Sequence, residues 1–203
     1  FVVWKRLKMR LLSRELWTDS DLDSHNFLYY FSFLSLMTLH FEHNLQQALE
    51  NIQAEGYHHI LVHKEEQERD TYSSCEIIEK YADAKHELVE IINQYYPSLN
   101  FDLINWINKN ENDEVSYFLN EAGSNVLNHS EFKAPHKFHL WFGKKGFILG
   151  VEQKGKTFNA EKVHHQRLKE NEGAAFNFFR NSKSKIFFND SKNTKTIFME
   201  FGF

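Results

Sequence analysis

The chain has 203 residues, of which 41% are hydrophobic and 26% charged, and carries a formal net charge of −4. This is the composition of a folded domain, not of a disordered or low-complexity chain, and the acidic balance gives no support to nucleic-acid binding. Phe is abundant at 20 residues while Pro (2) and Gly (8) are scarce, and the single cysteine, Cys75, excludes an internal disulfide, which favours a reducing, cytoplasmic setting.

In chain order, residues 1–17 alternate apolar and basic side chains (Lys5, Arg6, Lys8, Arg10, Arg14) at helical spacing and read as a solvated helix face. Membrane attachment is expected only if residues precede Phe1. The apolar run 27–41 is interrupted by Ser32, Ser35, Thr38 and His40 and is too short and too polar to span a bilayer. A long helix is predicted over 24–54, because Phe27, Tyr30, Phe31, Leu34, Met37 and Phe41 fall on one stripe and Gly56 follows as a stop. Residues 57–63 fit either a short strand or the turn of a helical hairpin. A second helix is predicted over 71–96, with Ile77, Tyr81, Leu88, Ile91 and Ile92 as its stripe and Pro97 closing it.

Beyond Pro97, residues 99–103 are read as a strand followed by a short helix. Residues 114–128 are read as a helix that buries Val115, Phe118, Leu119, Ala122 and Val126. Strands are predicted over 137–142, 146–151, 184–189 and 194–201, with turns at Lys144-Lys145-Gly146 and Asp190-Ser191-Lys192-Asn193 and a helix near 173–181. The fold class is therefore α+β: a helical hairpin over 1–97, then a domain over 98–203 with a mixed, mostly antiparallel sheet.

Glu121, Asn125 and His129 recur at four-residue spacing and so stack along one face of the 114–128 helix. A carboxylate can orient or deprotonate an attacking group. An amide oxygen suits a hard cation such as Mg²⁺, and an imidazole can meet a phosphate. By contrast His58, His59 and His63, and His164 with His165, lack the cysteine partners or the His-Glu-x-x-His frame of a zinc site and are read as surface histidines.

The row sits in a longer sequence of motifs. Asn120-Glu121-Ala122-Gly123-Ser124-Asn125-Val126-Leu127-Asn128-His129-Ser130 is followed by a predicted hairpin, Gln153-Lys154-Gly155-Lys156-Thr157, then Glu172-Gly173-Ala174-Ala175-Phe176 and a terminal hairpin. This order resembles the GHKL superfamily, which holds the histidine-kinase ATPase domain and the anti-sigma-factor kinases. The resemblance covers about 90 residues. It implies a Bergerat-type α/β sandwich with ATP and Mg²⁺ as cofactors. It makes Glu121 the catalytic carboxylate, Asn125 the magnesium ligand, and His129, Gln153, Gly155, Thr157 and Gly173 nucleotide contacts. Gln153 stands where the family has the adenine-reading Asp, and Thr157 and Ala175 stand where it has glycines. Ser24-His25-Asn26-Phe27 resembles the start of a phosphotransfer hairpin, which implies His25 as phosphate acceptor and a homodimeric four-helix bundle. The function implied is a signalling protein that binds ATP or relays phosphate to a response regulator. The alternative is a catalytically inactive pseudo-ATPase that binds a sigma-factor-like partner, and a third possibility is a protein that shares only the sheet.

Overall fold

The computed structural model describes residues 39–62, 67–68, 74–103, 114–134, 136–170, 179 and 181–203. The described residues lie within one compact unit, Met37–Phe203. Its frame is a six-stranded mixed sheet. In chain order the strands and helices are β1 (Leu39–His40), α1 (Leu45–Ile52), β2 (Ala54–Leu61), β3 (Gln67–Glu68), α2 (Ser74–Tyr95), α3 (Glu114–His129), β4 (Phe132–Ala134), β5 (Lys137–Gly143), β6 (Gly146–Glu152), α4 (Ala160–Glu170), β7 (Lys185–Phe187) and β8 (Thr196–Gly202). The sheet order is β1-β7-β8-β6-β5-β2, while β3 and β4 pair separately. Only β1–β7 is parallel; the other pairs of the main sheet are antiparallel.

Alternation along the central strands sorts side chains between two faces. Phe138, Leu140, Phe142, Phe147, Leu149, Val151, Ile186 and Met199 point to one face, where they pack with the apolar stripes of α2 and α3. The predicted stripe of α2 is buried at Ile77, Tyr81, Leu88 and Ile92, and every predicted core position of α3 is buried. The opposite face presents Trp141, Ile148, Phe187 and Phe198, and α1 covers part of it with Leu45, Ala48, Leu49 and Ile52. Each fully buried aliphatic or aromatic side chain contributes about 1.5–3 kcal/mol, so this two-sided burial is the main force holding the sheet.

The β5–β6 turn falls at Lys144-Lys145 as predicted. The Tyr96 hydroxyl fixes it, lying 2.7 Å and 2.8 Å from the Gly143 and Gly146 carbonyls and accepting from the Gly143 N–H. Gly146 has φ 146°, a conformation that L side chains rarely adopt.

The helix predicted over 24–54 is corrected in its described part. Residues 39–40 are a strand paired with β7. A new helix begins at Asn44, whose side chain accepts from the Gln47 N–H while Gln47 returns to the Asn44 N–H. It ends one turn before Gly56, at Gln53, which takes a left-handed conformation with φ 53°. Residues 57–61 resolve as strand, part of β2, so the main sheet draws strands from both sides of Pro97. Residues 24–38 of the expected hairpin lie outside the described residues.

Residues 99–103 do not form the expected strand. The Asn93 side chain donates to the Phe101 carbonyl and accepts from the Phe101 N–H, both at 2.8 Å, and so supplies the pairing a neighbouring strand would have given. Of the helix expected at 173–181, only Phe179 and Asn181 are described, and both are helical. An unpredicted helix, α4, fills 160–170, with Asn159 accepting from the Lys162 N–H at its start.

At Gly123 the Tyr81 side chain of α2 lies directly against α3. A Cβ there would lie 1.9 Å from the Tyr81 hydroxyl and 2.1 Å from its ring. We expect Gly123→Ala to lower the unfolding free energy by about 1–3 kcal/mol, despite the better helix propensity of Ala. Urea denaturation checks this, and an unchanged midpoint would refute the packing.

Candidate functional site

Two polar regions meet the conditions for a site. The first is the predicted row on α3. Glu121 and Asn125 are half-buried and His129 is exposed at the helix end. Burial raises the Glu121 carboxyl above the usual range, opposed by the hydrogen bond it accepts from the Tyr117 hydroxyl. The 153–157 loop reaches the C-terminal end of this helix. The Lys156 N–H donates to Glu131 Oε2 at 2.9 Å, the Lys156 ammonium lies 3.3 Å from Glu131 Oε1, and Gly155, at φ 97°, packs against the Glu131 side chain. The structure therefore places Gly155 near the His129 end of the row. Glu121 stands roughly 12 Å further back along the helix axis.

The Gln153 side chain donates to the Lys156 carbonyl at 2.8 Å, an engagement within its own loop. Thr157 is exposed. His25 and Gly173 lie outside the described residues. Among the described residues, no group of three or more His, Cys, Asp or Glu side chains is arranged to hold a metal ion, and no helix is long and apolar enough to cross a membrane. His164, read from sequence as a surface histidine, is buried and lies 5.4 Å from the Phe41 ring.

The second region was not singled out from sequence. On the sheet face that α1 covers only in part, β2, β5 and β6 carry Tyr57, His139 and Glu152 at diagonal cross-strand positions, since His139 stands opposite His59 and Gly150. Tyr57 Oη lies 2.7 Å from His139 Nδ1, and His139 Nε2 lies 2.7 Å from Glu152 Oε2. The His139 side chain is 12% exposed, Glu152 36% and Tyr57 48%, so the chain of hydrogen bonds runs from a largely covered imidazole to an open phenol. Gly150 leaves room beneath it. A Cβ at that position would lie 3.1 Å from the Phe198 ring and 3.2 Å from the His139 Cβ.

Charge sets the direction of this relay. The hydrogen bond from His139 holds the Glu152 carboxyl below its usual range against the opposing effect of burial, with His139, Lys137 and Lys195 adding charge attraction. Glu152 accepts from Nε2, and in the tautomer that carries its proton there Nδ1 accepts from the Tyr57 hydroxyl. Burial and the Glu152 charge raise the Tyr57 phenol, so it remains protonated at neutral pH. Rings stand beside the relay in near-parallel array: His139 with Trp141 at 10°, Tyr57 with His59 at 20° and Tyr57 with His139 at 27°.

Farther along the same face, a buried carboxylate is satisfied by the segment before α1, by α1 and by β7. Glu200 accepts from His43 Nε2 at 2.7 Å, Asn51 Nδ2 at 3.1 Å and the Lys185 ammonium at 3.0 Å. Burial, then the nearby His43 and Lys185, lower the His40 pKa, with Glu200 acting in the opposite sense. This cluster ties α1 and the segment before it to β7 and β8.

The sequence matches no protein-family model, and no curated protein or solved structure matches it.

The raised Glu121 pKa has a signed consequence. A carboxyl that titrates higher in the folded state contributes stability at low pH, and that contribution is lost as pH rises through the folded pKa. Glu121→Gln, which can still accept from Tyr117, is therefore expected to raise the melting temperature at neutral pH, with the gain closing below about pH 4. Melting curves across pH test this; a variant less stable than wild type at neutral pH would show that the ionised carboxylate is instead favoured.

Proposed function

We propose that the open sheet face is a general-base site in which Tyr57, His139 and Glu152 remove a proton from a bound substrate hydroxyl. The observation that carries this reading is the unbroken pair of 2.7 Å hydrogen bonds from Tyr57 through His139 to Glu152. A substrate O–H donating to the Tyr57 oxygen passes its proton to that oxygen while the phenolic proton moves to His139 Nδ1. The resulting imidazolium is held by Glu152. The arrangement follows the logic of a carboxylate that orients an imidazole, which in turn serves a hydroxyl. The row of rings beside it suits a ring-bearing substrate, which gains by stacking against Trp141 or His59.

An arylsulfonyl fluoride reports such activation directly. The tyrosine oxygen attacks sulfur, fluoride leaves and the phenolic proton goes to the adjacent base. Tyr95, 47% exposed, is an internal control for Tyr57. Labelling of Tyr57 is expected to exceed that of Tyr95 by about tenfold or more and to fall to the Tyr95 level in His139→Phe. Equal labelling of the two tyrosines in the wild-type protein would overturn the reading.

A second reading keeps the GHKL resemblance: a Bergerat-type domain, preceded by a phosphotransfer-like hairpin, that binds Mg-ATP along α3 in a signalling pathway. What supports it is the succession α3, β5–β6 hairpin, 153–157 loop, with the loop tied to the end of α3 through Lys156 and Glu131. Asn125 would hold the metal, and Glu121, His129, Gln153, Gly155 and Thr157 would surround the nucleotide. Mg-ATP at about 100 times its Kd would stabilise the fold by about 2.7 kcal/mol. The expected result is a rise in melting temperature that Asn125→Ala removes. No rise at millimolar Mg-ATP would sink nucleotide binding and leave the partner-binding pseudo-ATPase, with a response regulator or sigma-factor-like protein as its partner.

A further inference from the structure

Helices α2 and α3 enclose a groove of about 460 Å³ beside their Gly123–Tyr81 contact. Its walls are Ile77, Ile78, Ala82 and Leu127, and its polar lining is Lys85, Asn120, Ser124 and Asn128. Ile78, at the rim, is 51% exposed although apolar. At the base the Lys85 ammonium donates to the Asn120 side-chain oxygen and lies 5.5 Å from the centroid of the Tyr81 ring. Tyr81 also lines the groove, but its hydroxyl is buried against Gly123, without a hydrogen-bond partner among the described residues.

Among the described residues, the lining holds one cation, no carboxylate, and amide and hydroxyl groups beside apolar walls. One ammonium in a partly desolvated position matches one negative charge, and burial lowers the Lys85 pKa in the way a nearby anion would reverse. A doubly charged phosphate would face a single cation, whereas a neutral apolar ligand would leave Lys85 unused. The volume is that of a small-molecule pocket. We propose that this groove binds a monocarboxylic acid with an apolar body, its carboxylate held by Lys85 and its chain laid along Ile77, Ile78 and Leu127.

Octanoate is a suitable probe and 1-octanol its uncharged control, both measured by calorimetric titration of the whole chain. Octanoate is expected to bind, octanol to bind at least about tenfold more weakly, and Lys85→Met to lose about tenfold or more of the octanoate affinity. Ser124→Leu, at an exposed position that projects bulk into the groove, is expected to abolish binding without unfolding the chain; it keeps the test decisive should Lys85→Met fail to fold. Absence of octanoate binding at millimolar concentration, octanol binding as tight as octanoate, or unchanged affinity in either folded variant would overturn the assignment.

Discussion

The register of β6 between β5 and β8 is the constraint on which the rest depends. Phe147, Leu149 and Val151 face the helices only because Phe147 pairs with Phe142 and Phe201, and Val151 with Phe138 and Ile197. Strand side chains alternate with period two, so a slip of one residue would send this apolar set to the other face. It would also move Glu152 off the face that carries His139 and strand Ile148 away from α1. One register thus fixes the main core, the seat of α1 and the relay together. Tyr96 guards it at the turn, where its hydroxyl engages the backbone of both Gly143 and Gly146.

The sheet's second face shows how polar groups are accommodated beside an apolar core. Glu200 is buried next to Phe187 and Phe198, an arrangement that costs desolvation energy unless its oxygens are satisfied. His43 before α1, Asn51 on α1 and Lys185 on β7 satisfy them. The carboxylate therefore adds to the apolar contact of α1 a polar tie that fixes the helix on the sheet, as Glu114 does for α3 by accepting from the Ser184 N–H and hydroxyl. Glu152, at the opposite end of the same face, has one imidazole partner and keeps access to solvent. The two carboxylates differ in enclosure and number of donors, and that difference separates an anchor from a group able to exchange protons.

Strong periodicity is legible in the sequence. The stripes of α2 and α3 and the alternation of β5, β6 and β8 are dense in large apolar residues, and each has one physical solution. What escaped was written in weaker patterns. β2 buries few side chains, since it is an edge strand with one face open, so Tyr57-His58-His59 shows no alternation of apolar and polar residues. The end of the long predicted helix was hidden because Phe41 continues the apolar spacing, while it packs instead on Phe188 at 6.0 Å. The Asn44–Gln47 box that starts the true helix could have been found from its spacing. The relay had a signal as well: His139 and Glu152 occupy same-face positions of a legible hairpin, although Tyr57 depended on the strand that could not be read.

Helix α3 shows the limit of spacing arguments most clearly. It carries two polar rows one residue apart, Glu121–Asn125–His129 and Asn120–Ser124–Asn128, and each repeats every four residues. Adjacent residues on a helix are turned by about 100°, so the two rows look in different directions. The first contains the chemically richer set and the resemblance to a nucleotide motif. The second faces α2, where Lys85 meets Asn120 and the helices leave an open groove. Period cannot tell which row borders a cavity; that is decided by the neighbour helix, and by the one glycine that lets Tyr81 press against α3. Gly123 belongs to neither row, yet it sets the distance between the helices and with it the groove that the second row lines.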